Sequence, residues 1–370
     1  MNVLSLFDGM SCGQIALNRA GIEYNNYYAS EINKYCIKVT QANYPNTIQL
    51  GDIKDWKVWN LPKIDLIIGG SPCQGFSFAG KQLNFEDHRS RLFFYFVDIL
   101  NKIKPKYFLL ENVKMKKKWE NIITKYLKIK PVLINSSLVS AQNRKRLYWT
   151  NIGQIQQPKN KKIFLKDILE YRIVDQGESE PCIGAIRGRY YINGKRQDAK
   201  MKTAGLTSQY IELRQDKKSN ALSTVQKDNI VIIPKYNSKK QLKYVAVVNK
   251  NKKWLGNGKI LQRNFSKGER IYSIECKYPT LASSIGETAE TENQLINNNE
   301  TPFIYRKLTP IEYERLQTVS DNYTKHVSNT QRYKMLSNGW TVDVIVHILK
   351  NIKNNKIIKR QDITDFIYKK

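Results

Sequence analysis

Val3-Leu4-Ser5-Leu6-Phe7-Asp8-Gly9-Met10-Ser11-Cys12-Gly13 is a compact apolar run that stops at an acidic residue and breaks into a glycine-containing turn. An apolar run this short and this sharply bounded reads as a strand buried on both faces. The pattern returns at Asp65-Leu66-Ile67-Ile68-Gly69-Gly70, and again at Tyr107-Phe108-Leu109-Leu110 ahead of Glu111-Asn112. Helical patterns lie between the runs, and that alternation predicts an α/β domain built on a parallel sheet. In such sheets ligands bind just beyond the carboxyl ends of the strands. The polar residues at those ends are therefore the candidates for function.

Further along, the chain turns polar around Gln156-Gln157-Pro158-Lys159. From 172 to 303 short β-type runs, such as Asn229–Ile233 and Tyr244–Val248, are separated by Lys, Asn, Gly and Ser. This stretch reads as an irregular, strand-rich, basic second domain. After Tyr305 a helical pattern resumes, with Thr309 as cap, Pro310 at the first helical position and Glu312 in the first turn. Val342 to Ile352 carries apolar residues at helical spacing. Its apolar face needs cover, so the segment is expected to return to the first domain. The expected division is 1–171, 172–303, 304–352 and a basic tail at 353–370.

Charge is the strongest bulk feature. The 370 residues hold 62 Lys and Arg against 32 Asp and Glu, a formal net charge of +30. A polyanion is the natural partner, because phosphate contacts release counterions. A Lys- and Asn-rich composition inherited from an AT-rich genome would give the same figure, and the two readings are compatible. The five cysteines are widely spaced with no CxxC pair, and there are three His. Neither a zinc site nor a disulfide framework is expected. Apolar runs such as Phe93–Leu100 are too short to span a bilayer. Met1–Phe7 has no basic region ahead of an apolar one, so a cytoplasmic location is expected.

The strand ends carry the chemistry. Gly9 and Gly13 flank a turn that lets backbone approach a ligand, and the following helix start favours anionic groups. Glu31 stands about 20 residues beyond this turn, the distance at which an acidic side chain meets ribose hydroxyls. Asp52, in Gly51-Asp52-Ile53, is placed to accept from an adenine amine. Their order suggests a nucleoside-containing cofactor. Gly69-Gly70-Ser71-Pro72-Cys73-Gln74-Gly75 sets a cysteine behind a proline in a glycine-rich loop, either as an activated nucleophile or as a small buried hydrophobe. Glu111 ends another strand, either structurally partnered or acting as an acid. Gln142-Asn143-Arg144-Lys145-Arg146 places two arginines two residues apart in an extended segment, hence on one side of it. They read as planar donors for phosphate or carbonyl oxygens, or as basic surface.

With these motifs in order, the sequence resembles the DNA cytosine-5 methyltransferases of prokaryotes and phages. The resemblance rests on Phe7-Asp8-Gly9, Glu31, Asp52, Pro72-Cys73-Gln74, Glu111-Asn112-Val113, Gln142-x-Arg144-x-Arg146, Arg306-Lys307-Leu308-Thr309-Pro310-x-Glu312 and Ser337-Asn338-Gly339-Trp340. It spans 1 to about 152 and 304–350. Two motifs depart from the common pattern. Phe-Asp-Gly-Met-Ser-Cys-Gly stands where many members have Phe-Ala-Gly-x-Gly-Gly, and Ser-Asn-Gly-Trp where many have Gly-Asn-Ser. Both variants are similar to those of the animal de novo enzymes.

The resemblance implies a Rossmann-like methyltransferase sheet with helices on both faces, plus a smaller β-rich target-recognition domain at 172–303. It implies S-adenosylmethionine as cofactor, double-stranded DNA as partner, no metal, a monomer, and room for a cognate restriction endonuclease. It makes Cys73 the nucleophile towards C6 of a flipped-out cytosine. Glu111 would bind N3 and the amine of that base, and Arg144 and Arg146 its O2. The cofactor pocket would comprise Phe7, Asp8, Gly9, Met10, Ser11, Cys12, Gly13, Glu31, Ile32, Asp52, Ile53, Pro72, Leu92, Asn338 and Trp340, with the Trp340 ring near the adenine. Gln74, Lys81, Arg89, Arg91, Arg187 and Arg189 are the candidate DNA contacts. Two rivals remain: a tRNA cytosine-5 methyltransferase, whose target region is much shorter, and a catalytically silent DNA-binding protein, which has no use for a nucleophile.

Overall fold

A computed structural model describes residues 1–72, 92–170, 182–189, 191–192, 195–196, 208–214, 216–224, 229–234, 246–247, 270–271, 281–282, 303–354 and 357–360. The chain forms two compact units, Met1–Lys162 with Glu314–Lys370, and Ile163–Tyr313.

The first unit is built on a seven-stranded sheet. Its strands are β1 (Asn2–Leu6), β2 (Asn26–Ser30), β3 (Ile48–Gln49), β4 (Leu66–Gly70), β5 (Tyr107–Val113), β6 (Val132–Asn135) and β7 (Lys145–Thr150). They run in the order β3-β2-β1-β4-β5-β7-β6. The pairs from β3 to β5 are parallel, and β7 pairs antiparallel with both β5 and β6. The apolar runs at 3–6, 66–70 and 107–110 thus occupy adjacent central strands, and this is why they are apolar on both faces. The strand order reverses at β1, whose neighbours are β2 and β4. That is the topological switch point where α/β sheets bind ligands.

Helices α1 (Cys12–Ala20), α2 (Lys34–Asn43), α3 (Leu92–Ile103) and α4 (Lys117–Leu127) connect the strands. One core joins Leu4, Leu6, Ile67, Phe108, Leu110 and Trp149 of the sheet to Phe93, Phe96 and Val97 of α3 and Ile123 of α4. Trp149 is fully buried and donates its indole N–H to Thr124 Oγ1 at 3.0 Å. At Gly13 in α1, an added Cβ would fall 2.4 Å from Ile68 Cδ1 and 2.5 Å from the Tyr27 hydroxyl. Any larger residue would have to displace the Ile68 and Tyr27 side chains, so glycine lets this helix start close to β2 and β4.

In the second unit, β8 (Cys182–Arg189), β11 (Ser208–Leu213), β12 (Ile230–Pro234), β15 (Leu281–Ala282) and β16 (Phe303–Lys307) form an antiparallel sheet in the order β15-β11-β8-β12-β16. Two two-stranded ribbons pair β9 (Tyr191–Ile192) with β10 (Lys195–Arg196), and β13 (Ala246–Val247) with β14 (Arg270–Ile271). Ile183, Ile230, Val231 and Ile232 are buried. Helix α5 (Pro310–Leu316) begins as its sequence predicts. Thr309 Oγ1 accepts from the Glu312 amide at 3.2 Å, and Glu312 Oε2 from the Thr309 amide at 2.9 Å, a reciprocal cap. The buried Glu312 carboxylate also pairs with Arg306 at 2.6 Å.

Helices α6 (Asn329–Asn338) and α7 (Val342–Leu349) belong to the first unit. α7 packs on α1, where Arg19 reaches Asp343 at 3.1 Å. Ile345, Ile348 and Leu349 are fully buried, so the apolar face read from 342–352 is covered.

Candidate active site

A cavity of about 290 Å³ lies in the first unit beyond the carboxyl ends of β1, β2, β4 and β5. Phe7, Asp8, Gly9, Met10 and Cys12 line it from the turn after β1. Glu31, Asn33 and Cys36 come from the end of β2 and from α2, and Gly70, Ser71 and Pro72 from β4. Glu111, Asn112 and Val113 end β5, Arg144 and Arg146 come from β7 and the residues before it, and Gln331, Lys334, Met335, Ser337, Asn338, Gly339 and Trp340 from α6 and its exit.

The turn after β1 is tightly drawn. Phe7 and Ser11 hold left-handed backbone angles, with φ of 59° and 63°. That conformation disfavours side chains with a Cβ and marks stored strain. Glu31 spans the turn. Its Oε2 accepts from the Gly9 amide at 2.8 Å, and its Oε1 from the amides of Ile32 and Asn33 at 2.9 and 2.8 Å. A carboxylate has about four lone-pair sites, so capacity remains for ligand hydroxyls.

Asp8 accepts from the Tyr27 hydroxyl at 2.7 Å through Oδ1, while its buried Oδ2 has no hydrogen-bond partner. Burial raises its pKa to about 6. The nearby hydroxyls of Ser5, Tyr27 and Ser11 oppose that rise, and the charge of Glu31 adds to it. Burial also pushes the Cys12 thiol up to about 12. That leaves Cys12 protonated and inert near neutral pH.

Glu111 sits between two donors. Arg146 Nε reaches its Oε1 at 2.9 Å, and Trp340 Nε1 donates to its Oε2 at 3.2 Å. The pairing follows from register. Glu111 faces Tyr148 and Val113 faces Arg146 across the β5–β7 ladder, so Glu111 and Arg146 are diagonal neighbours on one face. Asn112 points elsewhere and ties β5 to β4, donating to Ser71 Oγ at 3.0 Å and the Ser71 carbonyl at 3.3 Å. Arg144 is buried and donates to the carbonyls of Ser337 and Gly339 at 3.1 and 3.0 Å. It therefore braces the exit of α6 and does not share Arg146's partner, although both arginines line the cavity.

Of the residues singled out in sequence, the cavity gathers Phe7, Asp8, Gly9, Met10, Cys12, Glu31, Pro72, Glu111, Arg144, Arg146, Asn338 and Trp340. It does not gather Ser11, Gly13, Ile32, Asp52, Ile53 or Leu92. Ser11 and Ile53 are buried, Gly13 packs on the sheet, and Ile32 is 72% exposed. Asp52 caps the 3-10 turn Ile53–Val58, accepting from the Lys54 amide at 3.0 Å. Leu92 starts α3 and packs against the core. The Trp340 indole, expected near an adenine, hydrogen-bonds Glu111. Cys73, Gln74, Lys81, Arg89 and Arg91 lie outside the described residues, and Arg187 and Arg189 lie on β8. Sequence reasoning missed Gln331 and Lys334. Their spacing with Asn338 puts all three on one face of α6, but only the fold turns that face to the cavity. Among the described residues no group of three or more His, Cys, Asp or Glu is placed to hold a metal, and no helix is long and apolar enough to cross a membrane.

A parallel-dominant sheet, with a cavity at its switch point lined by three carboxylates and three cationic side chains, makes this a mixed α/β protein consistent with the Rossmann-like methyltransferase fold. Residues 1–354 match the model of the C-5 cytosine-specific DNA methylases, and the chain belongs to that family. It is 31% identical over 314 residues to the orphan methyltransferase M.Rho11sI of Bacillus phage rho11s, covering 77% of this chain and 58% of that protein. It is 26% identical to the orphan methyltransferase M.SPRI of Bacillus phage SPR, covering 98% of this chain and 99% of that one. The chain thus spans a little over half the length of the first relative and nearly all of the second. Among solved structures, DNMT2 of Spodoptera frugiperda is similar in fold, with a TM-score of 0.54 at 18% identity over 95% of this chain and 99% of that one.

Proposed function

We propose that this protein transfers a methyl group from S-adenosylmethionine to C5 of a cytosine within a defined sequence of double-stranded DNA, with Cys73 as nucleophile. One observation carries the reading. A single cavity holds Asp8 and Glu31, suited to a cationic nucleoside, together with Glu111, Arg146 and Pro72, the residue that precedes Cys73.

The cavity residues fit the cofactor. Its positive charge suits the buried, unpartnered Oδ2 of Asp8, and its ribose suits Glu31 beside the Gly9 amide. When bound, S-adenosylmethionine supplies an electrophilic methyl on a sulfonium. We assign Ile32, Asp52 and Ile53 to the adenine side, and Ser11, Gly13 and Leu92 to support of the pocket wall.

The chain's own residues prepare the base. Cytosine must leave the helix stack, at a cost of a few kcal/mol. The Cys73 thiolate adds to C6 while the Glu111 carboxyl, held against N3 and the exocyclic amine, gives its proton to N3 and becomes the carboxylate. Arg146, already fixed on Glu111, is in reach of O2, while Arg144 keeps the exit of α6 in place. C5 would then take the methyl group, leaving the demethylated thioether as product; a water would take the C5 proton as the Cys73–C6 bond breaks to return the thiolate, and N3 would give its proton back to Glu111. Gln74, Lys81, Arg89 and Arg91 would meet DNA from the segment after Cys73, and Arg187 and Arg189 from the second unit, which we assign to target recognition. The two relatives described above are named orphan methyltransferases, and a cognate endonuclease forms no part of the proposal.

The test is cytosine-methylation sequencing of plasmid DNA from a methylation-free bacterial host expressing the chain, beside Cys73→Ala. Methylation of one short sequence context, lost in the variant, is expected. A soluble wild type that binds the cofactor and leaves plasmid DNA unmodified while methylating cellular RNA would overturn the DNA assignment.

A further inference from the structure

The proposed cofactor carries one anionic group, the α-carboxylate of its methionine moiety. The turn after β1 offers this group a poor reception, because Asp8 and Glu31 stand beside it. Three cationic side chains line the cavity among the described residues: Arg144, Arg146 and Lys334. Arg144 is committed to the carbonyls of Ser337 and Gly339, and Arg146 to Glu111. Lys334 has no carboxylate partner among the described residues. It projects from α6 on the same face as Gln331 and Asn338, and all three line the cavity. Its charge is felt inside. Burial raises the Cys36 thiol, with Glu31, Asp8 and Cys12 adding, and Lys334 opposes that rise.

We propose that Lys334, flanked by Gln331 and Asn338, binds the α-carboxylate of the cofactor and so sets the affinity of the cavity for carboxylate-bearing cofactors. The inference rests on the reading of the cavity as an S-adenosylmethionine site. An ammonium is a compact charge with three donors, suited to a carboxylate at a cavity rim. Because both the cofactor and its demethylated product carry the carboxylate, the contact contributes uniform binding. Its loss raises KM and leaves kcat at saturation nearly unchanged.

The experiment measures equilibrium binding of S-adenosylmethionine, S-adenosylhomocysteine and decarboxylated S-adenosylmethionine to the full chain and to Lys334→Met and Lys334→Arg. Lys334 is exposed, so the variants should fold, and a thermal melt checks this. We expect Lys334→Met to weaken both carboxylate-bearing ligands by about tenfold or more, the effect of losing a charged hydrogen bond. The decarboxylated ligand should bind wild type and variant alike, and Lys334→Arg should recover most of the loss. A wild type that binds cofactor and a Lys334→Met variant that binds it equally well would overturn the assignment and leave the cofactor reading intact. So would equal weakening of all three ligands, or a loss confined to DNA affinity, which would make Lys334 a phosphate contact. A wild type that binds none of the three would remove the cofactor reading and this inference together.

Discussion

Burial holds Asp8 at about 6, above the ordinary aspartate value, so the folded chain keeps a proton there more readily than the unfolded chain does. The sign of the linkage follows. Between about pH 4 and pH 6 the folded state binds more protons, and stability therefore falls as pH rises through that window. Above it the charged, unpartnered oxygen persists as a fixed cost of about 3 kcal/mol. Asp8→Asn removes the charge and keeps an acceptor for Tyr27. In urea unfolding of the cofactor-free protein, the variant should be more stable than wild type at pH 7.5 by up to about that amount, and should converge with it near pH 4. Equal stability at both values would show that Oδ2 is solvated or paired in solution. Ser11 gives a second prediction. Its φ of 63° favours glycine, the residue the common motif has there. Ser11→Gly should therefore stabilise the fold by about 0.5–1 kcal/mol in the same titration, net of glycine's larger unfolded-state entropy. A destabilised variant would mean that the Ser11 hydroxyl matters more than its backbone.

A strand ladder, more than any one residue, places Glu111, the proposed acid of the site. Glu111 and Arg146 come 35 positions apart in sequence and meet only because β7 runs antiparallel beside β5 in one particular register. Glu111→Gln keeps the shape and an acceptor but cannot exchange a proton at N3. We expect turnover to fall by about 10²–10⁴, the usual worth of general acid–base help, with cofactor affinity and melting temperature close to wild type. A melting temperature that collapses with the activity would make Glu111 a structural group. The same ladder shows what the sequence could disclose. The apolar runs at 3–7, 65–70 and 107–110 announced buried strands because each ends abruptly at polar residues, and those residues proved to line the cavity. The Thr309-Pro310-x-Glu312 start of α5 was equally legible, since a cap is a local event. Which strands neighbour one another, and that Arg144 turns to the backbone while Arg146 turns to Glu111, depend on long-range pairing that local pattern does not encode. Lys334 escaped notice for the same reason. A lysine on a helix gains meaning only from what the fold sets opposite it.

At the scale of the molecule, the net charge of +30 has two readings that differ in what salt does. If the lysines and arginines chiefly record base composition, they are spread over solvated surface and few of them contact DNA phosphates. If they form a DNA-binding footprint, binding neutralises phosphates and releases condensed counterions, and log K falls linearly with log salt at about 0.9 per phosphate contacted. Arg187 and Arg189 on β8 and the cations of 81–91 are the assigned contributors, and they come from widely separated parts of the chain. A duplex gripped through these five side chains should engage about five phosphates, for which affinity drops by roughly 10²–10³ between 50 and 200 mM salt. Duplex binding by the Cys73→Ala protein, with S-adenosylhomocysteine present and salt stepped through that range, measures the slope without turnover. A steep slope that shallows by about one for each of Arg187→Ala and Arg189→Ala would assign those two side chains to phosphate. An unchanged slope with relaxed sequence preference would move them to the base edges, where arginine reads guanine. A slope of one or two in the parent protein would return most of the charge to solvent and leave recognition to a small number of specific contacts.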